Sequence, residues 1–174
     1  MAMKIRLRAL ALAAGAIALG FAGPNPARAE DDPLVTFRVL SPESALVAAQ
    51  AALDYCRAEG YQVSVVVVDR FGIEQVLLRD RFAGPHTPST ARRKAWTAVS
   101  FRTDTLSLSE LAETDKTFSG LRHVDGALLL GGGVPISAAG SIVGGIGISG
   151  APSGQVDDTC ARAGAEEIET EIAF

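Results

Sequence analysis

Methionine, histidine, cysteine and tryptophan are all scarce in this chain: its 174 residues hold two, two, two and one of them. That scarcity excludes much chemistry. There is no His-x-x-x-His or Cys-x-x-Cys pair of the kind that binds a metal. The serines lie in no Gly-x-Ser-x-Gly elbow, and two isolated histidines assign no hydrolytic triad. No Gly-Lys-Ser/Thr follows the glycine runs and no Gly-x-Gly-x-x-Gly opens a helix after a strand, so nucleotide binding is rejected. The residues therefore support no catalytic assignment.

Long apolar runs are also missing beyond the first 23 residues. Residues 1–29 combine a basic start (Lys4, Arg6, Arg8), an apolar middle from Ala9 to about Gly23, and an Ala-x-Ala site ending at Ala29. That pattern is a secretory signal peptide, and its apolar part is too short for a membrane span. The expectation is removal of 1–29, a single domain over 30–174, a periplasmic or secreted location, and no membrane insertion after cleavage. Of 16 basic residues, cleavage removes Lys4, Arg6, Arg8 and Arg28, leaving 12 against 20 acidic ones, a net charge of −8. A surface of that sign argues against nucleic acid or an anionic membrane as partner.

What the chain has in quantity is glycine, 18 residues, concentrated in Gly131-Gly132-Gly133 and in Gly144-Gly145-Ile146-Gly147-Ile148-Ser149-Gly150. Within strands and turns, such residues signal close approach of a helix or another subunit. Ser41-Pro42-Glu43 starts a helix to about Glu59, stopped at Gly60. Gln62–Asp69 and Ile73–Asp80 form a hairpin, and the unbroken Val65–Val68 suggests a strand covered on both faces. Thr87-Pro88 caps a helix to about Phe101, with Ala91, Ala95, Ala98 and Val99 inward, and a shorter helical piece covers Ser109–Thr114. Ala127–Leu130, Val134–Ser137 and Ser141–Ile148 read as strands, and Asp157 or Asp158 opens the last helix. A strand before the first helix completes the order. The fold class is α+β, a mainly antiparallel sheet of about five strands flanked by helices on its faces.

Cys56 and Cys160 fall on the apolar stripes of the first and last helices. They either form a disulfide, if those helices pack side by side, or stay as two buried thiols. Asp157-Asp158 with Glu166, Glu167, Glu169 and Glu171 reads as a solvated acidic face.

Four stretches together resemble the GlcG/HbpS family of small haem-binding-type domains, also found at the C-terminus of the PduO proteins. They are Val66-Val67-Val68-Asp69-Arg70-Phe71-Gly72, Ala91-Arg92-Arg93-Lys94-Ala95-Trp96-Thr97-Ala98, Gly131 to Ile136, and Gly144 to Gly150 with Asp157-Asp158 after it. The resemblance implies an antiparallel sheet flanked by helices, a homo-oligomer, and haem binding as in some members. Iron in haem proteins is held by His, Met, Cys or Tyr. Both methionines, Met1 and Met3, leave with the signal peptide, and Tyr55 and Tyr61 flank the end of the first helix, away from the predicted loops. His86 and His123 remain as iron ligands, alone or as a pair, with ordinary loop histidines as the alternative. Arg79, Arg92 and Arg93 would face propionates. Thr90, with the N–H groups of the Thr87 helix start, would hold a haem propionate or another small carboxylated molecule, or serve only in capping. The competing readings are a periplasmic accessory protein or enzyme of small hydroxyacid or alcohol metabolism, and a purely structural oligomer.

Overall fold

A computed structural model describes residues 33–173; the signal-peptide reading of 1–29 lies outside them. The chain divides at Thr36/Phe37, and Phe37 onward forms the compact unit that carries all the described helices and strands. In chain order these are α1 (Pro42–Ala58), β1 (Ser64–Asp69), β2 (Glu74–Arg79), α2 (Thr87–Phe101), α3 (Thr105–Thr114), a 3-10 turn (Ser119–His123), β3 (Gly133–Ala138), β4 (Ser141–Ser149), α4 (Gly154–Glu167) and α5 (Glu169–Ile172). The sheet order is β2-β1-β4-β3, with every neighbouring pair antiparallel.

The described sheet has four strands rather than about five. Ala127–Leu130 is not a strand, and the reason lies in where its backbone groups go. The Ala127 carbonyl accepts from Arg93 Nη2 at 2.6 Å, the Leu128 N–H donates to Thr97 Oγ1 at 2.9 Å, and the Leu130 carbonyl accepts from Thr105 Oγ1 at 2.7 Å. Side chains of α2 and α3 thus satisfy the groups that a ladder would have used. No strand precedes α1 among the described residues either. There the chain makes one sheet-like bond, from Leu40 N to the Val143 carbonyl.

β1 is buried on both faces although the sheet is antiparallel. Val65 and Val67 pack with Ala45, Ala48, Ala49, Ala52 and Ala161 of α1 and α4, while Val66 and Val68 pack against Ala91, Ala95 and Val99 of α2. The unit from Phe37 onward is therefore three layers deep, with α1 and α4 on one face of the sheet and α2 on the other. The hairpin β1–β2 turns on Asp69, whose Oδ1 accepts from the N–H groups of Phe71 and Ile73, and on Gly72 at φ 80°.

The glycine runs are where helices touch backbone. A Cβ on Gly145 would stand 2.6 Å from Val99 Cγ2, one on Gly147 would stand 2.6 Å from Ala95 N, and one on Gly133 would collide with the Lys94 carbonyl carbon at 2.7 Å. Tight packing against a helix, expected for Gly145-Ile146-Gly147, is thus packing against α2. On the other face, Cys56 of α1 and Cys160 of α4 are joined by a disulfide, with Cα atoms 5.7 Å apart.

Two outcomes are expected. Gly147→Ala should lower stability in urea by at least about 1–3 kcal/mol, the usual cost of overpacking, since the two atoms nearest the new methyl, the Ala91 carbonyl oxygen and Ala95 N, are backbone. Reducing the 104-residue cross-link should lower it by about 2–5 kcal/mol, read as a drop in urea midpoint with dithiothreitol present.

Candidate functional site

The N-terminal end of α2 opens on a cleft of about 770 Å³, inside the range of small-molecule and cofactor sites. Its walls come from the chain after α1 (Tyr61, Gln62), the β2–α2 loop (Phe82, Gly84, His86), α2 itself (Thr87, Thr90, Arg93), the loop at Leu128 and Leu130, and the segment Ser149–Gly154 leading to Asp157.

Local chemistry fixes this shape. His86, not Thr87, is the N-cap residue of α2, and its side chain makes no capping bond. Thr87 is buried instead: its hydroxyl donates to the Gly84 carbonyl at 2.8 Å and lies 2.7 Å from Ser64 Oγ, tying the loop to β1. The imidazole folds back over Gly84, where an added Cβ would lie 2.8 Å from His86 Cε1. The ring is exposed and free of capping duty, as a ligand must be.

The other sequence candidates fall into two groups. Arg93 and Thr90 share the cleft with His86. Arg93 lines it and donates to the carbonyls of Gly126 and Ala127. Thr90 turns its hydroxyl to the His86 carbonyl at 3.0 Å, as Ser89 does at 2.9 Å, so both hydroxyl protons are spent inside the first turn. His123, Arg79 and Arg92 lie elsewhere. His123 ends the 3-10 turn on the surface, Arg79 donates to the Ala83 carbonyl, and Arg92 pairs with Glu74 at 2.7 Å, which raises its pKa. His86 and His123 therefore do not line one pocket. Tyr61, expected to lie away from the loops, lines the cleft, because β1 carries the chain beyond Gly60 straight beneath α2.

Beneath the cleft is a pair that sequence reading missed. Lys94 is fully buried and donates to Asp157 Oδ2 at 2.7 Å and to the Ile148 carbonyl at 2.9 Å; Asp157 Oδ1 accepts from the Ala151 N–H at 3.0 Å. Burial pushes the Asp157 carboxyl up and the Lys94 ammonium down, against their mutual attraction. Gly132, at φ 113°, leaves them room: a Cβ there would stand 2.6 Å from Asp157 Cβ and 3.1 Å from Lys94 Nζ. The signal was present, since Lys94 falls on the same helical stripe as Ala91, Ala95 and Ala98. The last helix begins at Gly154 on an N-cap from Ser153, so Asp157 and Asp158 sit within it. Both are buried, and Asp158 pairs with Arg162 at 2.7 Å. The solvated-face reading thus fails for these two. Among the described residues no three His, Cys, Asp or Glu side chains cluster to hold a metal ion.

Residues 40–166 match the family described as haem degrading protein HbpS-like. The chain belongs to the HbpS-like family. It is similar to a double mutant of HbpS from Streptomyces reticuli, 42% identical at a TM-score of 0.73, covering 83% of this chain and 96% of that one. It is also similar to the PduOC:heme complex, 29% identical at a TM-score of 0.68 over 75% of this chain and 95% of that one. Over 98 residues it is 40% identical to corrinoid adenosyltransferase PduO of Salmonella typhimurium, an alignment that covers 54% of this chain but only 29% of that protein. The α+β antiparallel architecture of this HbpS-like chain is thus shared with solved relatives.

The Lys94–Asp157 pair gives a test. Lys94→Met should destabilise by about 3–5 kcal/mol at neutral pH, while Lys94→Met with Asp157→Leu should recover most of that loss, because a buried pair costs most when one partner is left alone. The single variant keeps a carboxyl whose folded pKa is raised. Its deficit should be absent below the unfolded pKa near 3.9 and should grow as pH rises above it, measurable by urea unfolding across pH.

Proposed function

We propose that this chain is an exported haem-binding protein serving capture or sensing, with the cleft at the start of α2 as its site. The observation that carries the reading is a histidine at the N-cap of α2 whose ring is released from capping and held at the mouth of a cleft lined by Phe82, Leu128 and Leu130. The donor set fits haem. His86 is the histidine of the cleft, Tyr61 is a second group of iron-ligand type, and Arg93 is a cation suited to a propionate. Both cysteines are closed in the disulfide and supply no thiolate.

In this reading His86 is the iron ligand, Arg93 orients the group through its charge, and Phe82, Leu128 and Leu130 give its ring apolar contact. Bound haem would supply redox and gas-ligand chemistry at its iron. Similarity to HbpS and to a PduO domain crystallised with haem supports the ligand, and the pattern of residues 1–29 supports export to the periplasm or beyond. Assembly into a homo-oligomer is part of the proposal. β2 is an edge strand, and Phe71, Ile73, Leu77 and Phe82 are exposed on and beside it. Phe82 also lines the cleft, which favours a site at a subunit edge.

Titration of the protein with hemin should give a Soret shift, with affinity at least tenfold weaker in His86→Ala and unchanged in His123→Ala. No shift, or a shift unaltered in His86→Ala, would overturn the assignment. Loss in Tyr61→Phe with retention in His86→Ala would move the iron to the phenolate.

A further inference from the structure

α2 has a second cleft at its other end, about 22 Å away by the rise of a 15-residue helix. It measures about 410 Å³ and is lined by Arg70 and Phe71 of the β1–β2 turn, Val99, Ser100 and Arg102 at the end of α2, Gly140 of the β3–β4 turn, and Ser141 and Ile142 at the start of β4. Its lining holds two guanidinium groups, two hydroxyls and no carboxylate. In a chain whose acidic residues outnumber its basic ones by four, such a concentration of positive charge is a local feature.

Arg70 is held in place by its side-chain contacts and Arg102 by its backbone, and neither is neutralised by a carboxylate of the lining. Arg70 lies 4.0 Å over the centroid of the Phe37 ring and 5.8 Å from that of Phe71, two rings packed edge to face. Stacking fixes the plane of a guanidinium while leaving its N–H edge to bind. One of those groups reaches the Arg38 carbonyl at 3.5 Å. The nearby Asp69 is turned away, its Oδ1 taken by the Phe71 and Ile73 N–H groups. Arg102 is the C-cap of α2 at φ 56°, ψ 33°, a left-handed conformation that glycine adopts without strain. The turn alone calls for glycine; the side chain adds a cation that offsets the partial negative charge of the helix end. Neither Arg70 nor Arg102 forms an ion pair among the described residues. The charge of Arg70 is left over after the helix end is balanced.

We propose that this cleft is a binding site for a small oxyanion, a carboxylate or phosphate group, held by Arg70 and Arg102 with the hydroxyls of Ser100 and Ser141. Paired guanidinium forks match the two-oxygen edge of such a group, and the hydroxyls donate to its remaining oxygens. The site is separate from the His86 cleft and does not depend on haem.

Isothermal titration of the disulfide-intact protein at low ionic strength, with citrate and with inorganic phosphate, tests it. Saturable binding of at least one is expected, weakened at least tenfold in Arg70→Gln and in Arg102→Gly, with the hemin titration unchanged. Arg102→Gly should keep or raise the melting temperature, because glycine suits the left-handed position, so its loss of binding would not reflect unfolding. Citrate alone binding identifies a carboxylate ligand, and phosphate alone a phosphorylated one. Binding of neither anion, or affinities within twofold of the parent in both variants, would overturn the proposal. So would loss confined to Arg93→Gln, which would place the anion in the first cleft.

Discussion

Everything in this domain is arranged around the distance at which α2 lies on the sheet. With side chains on both surfaces, a helix and a sheet are normally held apart by their Cβ atoms. Here the Cβ atoms of β3 and β4 are missing where α2 crosses, at Gly133, Gly145 and Gly147, and the helix rests on the strand backbone. Because Gly133 and Gly147 meet main-chain atoms of α2, those contacts cannot repack to absorb a misfit. The position of α2 along the sheet is thereby fixed, and with it the loops at either end. The β2–α2 loop carries His86, and the α2–α3 turn carries Arg102.

That close seating also explains the buried charge. Lys94 belongs to the face of α2 that meets the entry to β3, where no water reaches its ammonium. It is tolerated because Asp157 and the Ile148 carbonyl approach it through the space left by Gly132. Three elements distant in sequence meet at one ammonium group: α2, the end of β4 and the first turns of α4. Such a pair is weak evidence for net stability, since desolvation opposes attraction. Its geometric effect is firmer. It sets where α4 begins and so where the Ser149–Gly154 wall of the His86 cleft runs.

Much of this was legible in the sequence. The valine run, the Ser-Pro helix start and the Asp-Arg-Phe-Gly turn each carry a local physical signal, and α1, the β1–β2 hairpin and α2 appear where those signals put them. Ala127–Leu130 was misread because its strand-like composition says nothing of Arg93, Thr97 and Thr105 reaching in from elsewhere in the chain. The same limit applies to the cleft. His86 beside a helix start can be seen in one dimension, but only the fold brings Tyr61, Leu128 and Asp157 to it. Lys94 carries no motif of its own beside the two arginines assigned to propionates, although its spacing from Ala91, Ala95 and Ala98 places it inward. Asp157 reads as surface for a related reason: its partner lies 63 residues away and leaves no trace in local pattern, whereas Asp158 pairs with Arg162 only four residues on.

The cross-link between α1 and α4 bears on how the molecule comes into being. With Cys160 placed 104 positions beyond Cys56, a ribosome adding about 5–20 residues per second makes it some 5–20 s later. Throughout that interval Cys56 is a thiol without its mate, while all four strands of the sheet are synthesised. The bond joins two helices on one face of the sheet, and its second cysteine arrives only after all four strands have been made. Oxidation in this protein therefore follows synthesis of the whole sheet, and a chain kept reduced would have to hold the same fold without the cross-link.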